Sequence, residues 1–362
     1  MELKRKFIIL AILVILLIIC LNVLPGHIVT VSFYDRFIYY PLQSLRNILL
    51  RLIPFSIGDV IYVLGGMWAL VTLIRWAYFI IKFSTYKRHL AASVLRFINT
   101  ILSVYLVFIL GWGANYYKRP LGLYWHLDTA ANHRMDTTSL IAYDKFLLAR
   151  LNAYAGHYHT LSRHQVNERA QTFYKIYTDS RTKNGLNVKP SLFGYFMERM
   201  AIEGYYNPFT GEGQVNNSLP AFMEPFVICH EMAHQAGIAA EGDANLMSYA
   251  LCTISGDSSF CYSAYLNIWL YTNTRLYFRD SSLANSIEAS LNPLTKKHID
   301  TLEQISKEYH NEVTRYSGQV YDSYLRMQQQ KEGIHSYGNV VSFAWQLELQ
   351  RVKESGKIIH IP

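Results

Sequence analysis

The residues best suited to act together are His230, Glu231 and His234, in the run Phe226-Val-Ile-Cys-His-Glu-Met-Ala-His-Gln235. Read as a helix, this run puts the two imidazoles four residues apart, on one face and about one turn from each other. Two ring nitrogens so placed reach one Zn²⁺ at about 2.0–2.1 Å. Glu231, beside the first ligand, reaches water activated by the ion without being a ligand, and is the candidate general base. The ion lowers the pKa of that water to about 7 and polarises a carbonyl. Phe226, Val227, Ile228, Met232 and Ala233 surround the motif, so the helix should be buried. Buried imidazoles and a carboxylate are costly without partners, and a metal removes that cost. Gly237 follows as a left-handed cap that turns the chain back.

A zinc site needs a third protein ligand. Glu241 is the candidate, with Asp243 in reserve. Asn245 shares a helix face with Glu241 at i,i+4 and can accept the N–H of a ligand histidine. A late polar turn, Gly333 to Gly338, offers His335 or Tyr337 to stabilise an oxyanion, and Tyr337 is preferred. Before the motif, the Gly204 to Asn217 stretch reads as a hairpin. Val215 and Asn216 are expected on an edge strand that could pair with extended substrate.

The elements that position these residues read as mainly α with a small sheet before Pro225, an α+β class. Helical periodicity covers Thr137 to Ala155, Gln165 to Thr178, Pro225 to Ala236, Glu241 to Thr253, Ser263 to Phe278 and His298 to Gln330. Turn residues mark Ser180 to Pro190 and Asn207 to Ser218.

The first third of the chain is different. Hydrophobic residues make up 51% of the sequence and charged ones 17%. That is too apolar for a plain soluble enzyme and too polar for a protein spanning throughout, so the excess must be local. Three runs carry it: Phe7 to Leu24, Val60 to Ile81 and Phe97 to Tyr117, each long enough to cross a bilayer. The intervening Val31 to Ser56 stretch reads as amphipathic helices at the interface. Lys4, Arg5 and Lys6, and then Lys82, Lys87, Arg88 and Arg96, put the N-terminus and second loop on the cytoplasmic side. Residues 1–117 are then a transmembrane region, and 118–362 a domain outside the cytoplasmic membrane, on the periplasmic side. Of four cysteines, Cys252 and Cys261 are read as a disulfide or as two buried thiols. The net charge of +8 fits basic flanks of membrane spans; no basic run interleaves with aromatics, which argues against nucleic acid as a partner.

His230-Glu-x-x-His234 followed by Glu241-x-x-Ala-Asn245 resembles the gluzincin branch of the zincin metallopeptidases, whose pattern is HExxH and then Glu-x-x-Ala-Asp. The layout is also similar to an uncharacterised family of bacterial membrane proteins grouped with those peptidases. The resemblance implies a zincin-like domain with zinc on His230, His234 and Glu241 and Glu231 as base. Asn245 stands where many gluzincins have Asp, and the interval from His234 to Glu241 is short for that branch. The expected function is a membrane-anchored zinc metallopeptidase acting on a protein or peptide near the bilayer. Two alternatives are a zinc-dependent hydrolase or amidase of another cell-envelope molecule, and a non-catalytic binding module of the same fold.

Overall fold

The structure of the protein is a computed structural model describing residues 2–25, 28–128, 135–182, 184–309 and 337–353. The chain divides into two units, Met1–Lys118 with Asn207–Gly211, and Arg119–Tyr206 with Glu212–Pro362.

An apolar run of membrane length can satisfy its backbone in lipid only by coiling. In the first unit, three such runs form α1 (Glu2–Val23), α4 (Ile57–Ile81) and α5 (Phe83–Gly111), all long and apolar enough to cross a membrane. Between them lie α2 (Ile28–Tyr34), a π-helical stretch (Asp35–Tyr39) and α3 (Tyr40–Leu50). Ser56 caps α4 by accepting the Asp59 N–H at 3.0 Å. Side chains such as Phe7, Ile12, Ile15, Leu70 and Ile74 are exposed, so these helices are apolar on outer as well as inner faces. The third helix differs from the expected 97–117. It begins at Phe83, separated from the end of α4 by Lys82 alone, because the basic stretch to Arg96 is itself helical. It ends at Gly111, where Gly113–Tyr117 tightens into a 3₁₀ helix.

The second unit is mostly helical. It contains α6 (Leu121–Tyr124), α7 (Thr137–Ala155), α8 (Arg163–Tyr177), α9 (Gly194–Arg199), α10 (Glu224–Gln235), α11 (Glu241–Ile254), α12 (Ser258–Tyr277), α13 (Ser281–Ala289), α14 (Pro293–Tyr309) and α15 (Tyr337–Lys353). Caps explain several starts. Asp136 accepts from Ser139 N–H at 2.6 Å, and Ser162 and Gln165 form a reciprocal capping box. Asp257 accepts from Ser259 and Phe260, which carries α12 five residues upstream of its expected start at Ser263. Pro293 opens α14 ahead of His298; the expected continuation through 310–330 lies outside the described residues. Leu147, Tyr174, Ile228, Met232, Leu246, Tyr249 and Trp269 belong to one core joining α7, α8, α10, α11 and α12.

The small sheet has the order β1 (Val188–Pro190), β3 (Glu212–Val215), β2 (Gly204–Asn207), with β1 and β3 parallel and Val188 opposite Gly213. This corrects one expectation: Val215 lies on the central strand, opposite Pro190, and Asn216 follows the strand. A hairpin signal locates two strands but not which of them a third one covers. The edge strand of this hairpin is β2. All four cysteines are free, and Cys252 and Cys261 are buried thiols, with Cys261 Sγ 3.4 Å from the Cys252 carbonyl.

Candidate metal centre

Helix α10 begins with Pro225 in its first turn and is buried along almost its whole length. Its backbone is tied in from outside: Tyr174 donates to the Cys229 carbonyl at 2.8 Å and Ser248 to the Phe226 carbonyl at 2.6 Å. The helix ends in a Schellman turn. Ile238 N–H reaches the Ala233 carbonyl at 3.1 Å and Gly237 N–H the His234 carbonyl at 2.9 Å. Gly237 sits at φ +93°, a conformation open to glycine at no steric cost.

That turn does two things. It brings the Ile238 carbonyl 2.7 Å from His234 Nδ1, so the ring donates there and its Nε2 is left to face the site. It also starts α11 with Glu241 in its first turn, against both histidines. His230 Nε2 and His234 Nε2 lie 3.2 Å apart, and Glu241 oxygens lie 3.2 Å from the first and 3.7 Å from the second. The sequence-predicted ligands are thus brought together, with one donor atom from each within 4.8 Å of the others. Two donors each at 2.0–2.1 Å from one tetrahedral ion are about 3.3 Å apart, so the imidazole spacing fits a shared cation. Burial also disfavours leaving such groups unpaired.

The electrostatics describe the same competition. Burial opposes charge on His234, but Glu241, with Glu231 and the Ile238 carbonyl, pushes its pKa up to about 9. Burial likewise opposes ionisation of Glu241, yet His234 and the hydrogen bonds from both imidazoles hold it well below the usual carboxylate range. Burial, assisted by the charge on His234, lowers His230 against the pull of Glu241. A proton and a metal cation compete for one place, between two ring nitrogens and a carboxylate.

Asn245 sits one turn after Glu241, buried, and favours the protonated form of His230. The approach falls short of a well-aligned hydrogen bond, since His230 Nδ1 and Asn245 Nδ2 are both buried without a partner. Asp243 points elsewhere, as a reserve ligand on a helix would: its carboxylate accepts the Leu121 N–H at 3.0 Å and holds the start of α6.

Glu231 faces the sheet. A Cβ added at Gly204 would lie 2.6 Å from Glu231 Oε1 and 2.9 Å from the Gln214 carbonyl; one at Gly213 would lie 3.0 Å from Glu231 Cβ. The two glycines therefore let β2 and β3 close over this side chain. Glu231 is 2% exposed, and its Oε2 has no hydrogen-bond partner. Burial, with the nearby charges of Glu241 and Glu203, pushes its pKa up to about 8 against the pull of His234.

Three neighbours escaped sequence reasoning. Tyr206 on β2 has its ring centroid 6.0 Å from that of His234. Glu203 precedes the same strand. Tyr271 on α12 is kept as a neutral phenol by burial and by the charges of Glu203 and Glu241. None carries a local signal, because each arrives by long-range packing. Tyr337 is the first residue of α15; its side chain and all of His335 lie outside the described residues.

Residues 34–345 match a family model described as Protein of unknown function (DUF3810). The chain belongs to this family. No curated protein and no solved structure matches it. The DUF3810 match takes in α4, α5 and the whole of the His230–Glu231–His234–Glu241 cluster, so the cluster and two of the three apolar helices belong to one family pattern.

Proposed function

We propose that this DUF3810 protein is a membrane-anchored zinc metallopeptidase of zincin type. The observation that carries the reading is the buried His230–His234–Glu241 cluster with Glu231 next to it in the same helix, its Oε2 without a hydrogen-bond partner. Two imidazoles and a carboxylate are a donor set that zinc accepts. Zinc held there supplies Lewis acidity, which acidifies water and polarises a scissile carbonyl. Glu231 takes the proton of the attacking water and passes it to the leaving amine. Its burial between Gly204 and Gly213 keeps bulk water from competing for that proton. We assign to Tyr271, kept neutral by burial and by the charges of Glu203 and Glu241, the donation to the developing oxyanion that sequence reasoning gave to Tyr337. The substrate is a polypeptide laid along β2, whose Gly204 backbone adjoins Glu231. We infer further that α1, α4 and α5 span the membrane and hold the second unit on the outer side.

The test is zinc content and peptide hydrolysis in full-length protein purified in detergent. The expected result is about one zinc per chain, lost in His230→Ala and kept in Glu231→Gln, with turnover on a peptide library falling at least 100-fold in Glu231→Gln. A folded wild-type protein without zinc, or a Glu231→Gln variant with full turnover, overturns the reading.

A further inference from the structure

The strand that flanks the metal centre is preceded by an acid with no part in holding the ion or moving a proton. Glu203 stands immediately before β2. Its carbonyl accepts the Asn216 N–H at 2.8 Å, and Asn216 Nδ2 donates to the Ile202 carbonyl at 3.3 Å, so its backbone is held to the end of β3. Ala201, at φ +53°, makes the turn that leads from α9 into this segment. A Cβ at Gly204, the next residue, would lie 2.6 Å from Glu231 Oε1. The Glu203 Cα is therefore within about 8 Å of the Glu231 carboxylate.

Glu203 is exposed to solvent, while the protein around it still pushes its pKa up by desolvation, as on the wall of a cleft. Among the described residues its carboxylate meets no cation and no hydrogen-bond donor; desolvation alone shifts it. Its charge bears instead on Glu231 and Tyr271 beside the centre. The backbone pairing shows where a counter-charge can enter. Because the Glu203 carbonyl points at β3, the alternation of an antiparallel pair turns the N–H and C=O of Gly204 to the outer edge. A polypeptide that pairs there places one side chain opposite Glu203, with Cβ atoms about 4.5–5.5 Å apart. Opposite charges in such a cross-strand pair attract and like charges repel.

We propose that Glu203 is the specificity-determining residue of this centre: it selects a polypeptide with a positive charge beside the scissile bond, an ammonium or guanidinium group that pairs with the Glu203 carboxylate across the edge of β2. The inference rests on the metallopeptidase reading and on the substrate lying along β2.

The test uses full-length, zinc-loaded protein in detergent and a set of decapeptides. Each position flanking the cleaved bond is varied among Lys, Arg, norleucine and Glu, and every peptide is made with a free and with an acetylated N-terminus. Cleavage is followed by mass spectrometry, and zinc content is measured for every variant. At one flanking position the wild type should prefer Lys or Arg over norleucine about fivefold in kcat/KM, and should disfavour Glu. In Glu203→Gln that ratio should fall to near one. In Glu203→Lys it should invert, with the Glu peptide cut faster than the Lys peptide. A preference that survives acetylation assigns the charge to a side chain; one present only with the free terminus assigns it to the terminal amine. Equal rates on Lys and norleucine peptides, or a cation preference unaltered in zinc-loaded Glu203→Lys, overturns the role of Glu203 and leaves the metallopeptidase reading standing. Zinc-loaded wild type that cuts no peptide overturns both.

Discussion

At the scale of single residues, the sequence was most informative where chemistry is local. His230, Glu231 and His234 are fixed relative to one another by helical geometry alone, and Glu241 by one glycine turn, so their convergence was readable from spacing. Tyr271 was not, because its place near Glu241 depends on how α12 packs against α10 and α11, and one tyrosine among 28 carries no mark of that. Asp144 was missed for a similar reason. It lies on the buried face of α7, both carboxylate oxygens lack partners, and burial raises its pKa to about 7 from 3.8. In an acid so shifted, the unfolded chain releases its proton first. Stability therefore falls as pH rises from about 4 to 7, and the penalty is constant above that. We expect Asp144→Asn to stabilise the fold above pH 7 by about a few kcal/mol in order of magnitude, seen as a higher thermal midpoint there, and to leave the midpoint unchanged near pH 4. A difference of equal size at both pH values would remove ionisation as the cause.

At the scale of elements, type was more legible than extent. α7 runs from Thr137 to Ala155 as its periodicity predicts. α5 starts well before its apolar run, since hydropathy reports the apolar part of a helix and not its basic extension. The sheet was anticipated, but its order was not, because β1 comes from a three-residue strand too short to leave an alternation. The turn between α10 and α11 is the element on which the centre depends most. Gly237→Ala forces an L side chain to φ +93° and should cost about 1–2 kcal/mol. Displacing the Ile238 carbonyl from His234 should also weaken zinc about tenfold or more. Both are measurable together, as a lowered thermal midpoint and as earlier loss of zinc to a competing chelator. A variant with unaltered zinc affinity would show that the His234–Ile238 hydrogen bond does not orient the ring.

At the scale of the whole molecule, composition predicted a local apolar excess, and three long apolar helices carry it. The sidedness inferred from Lys4 to Lys6 and Lys82 to Arg96 has its own test. A periplasmic reporter fused after Lys118 should be active, and the same reporter fused after Lys82 silent; the opposite pattern would invert the topology. What composition could not reveal is that the first unit is discontinuous. It recruits Asn207–Gly211, the tip of the β2–β3 hairpin, where Gln43 donates to the Gly211 carbonyl at 2.8 Å across 168 positions of sequence.

That hairpin tip imposes an order on biosynthesis. The first 118 residues leave the ribosome early, yet their unit lacks its last five residues until about 90 more have been made. At about 5–20 residues per second the wait is on the order of ten seconds. Throughout it, Gln43 and the backbone around it have no hairpin to bind. The apolar helices must therefore form and be held while their unit is incomplete, and part of the second unit must be synthesised before the first can close.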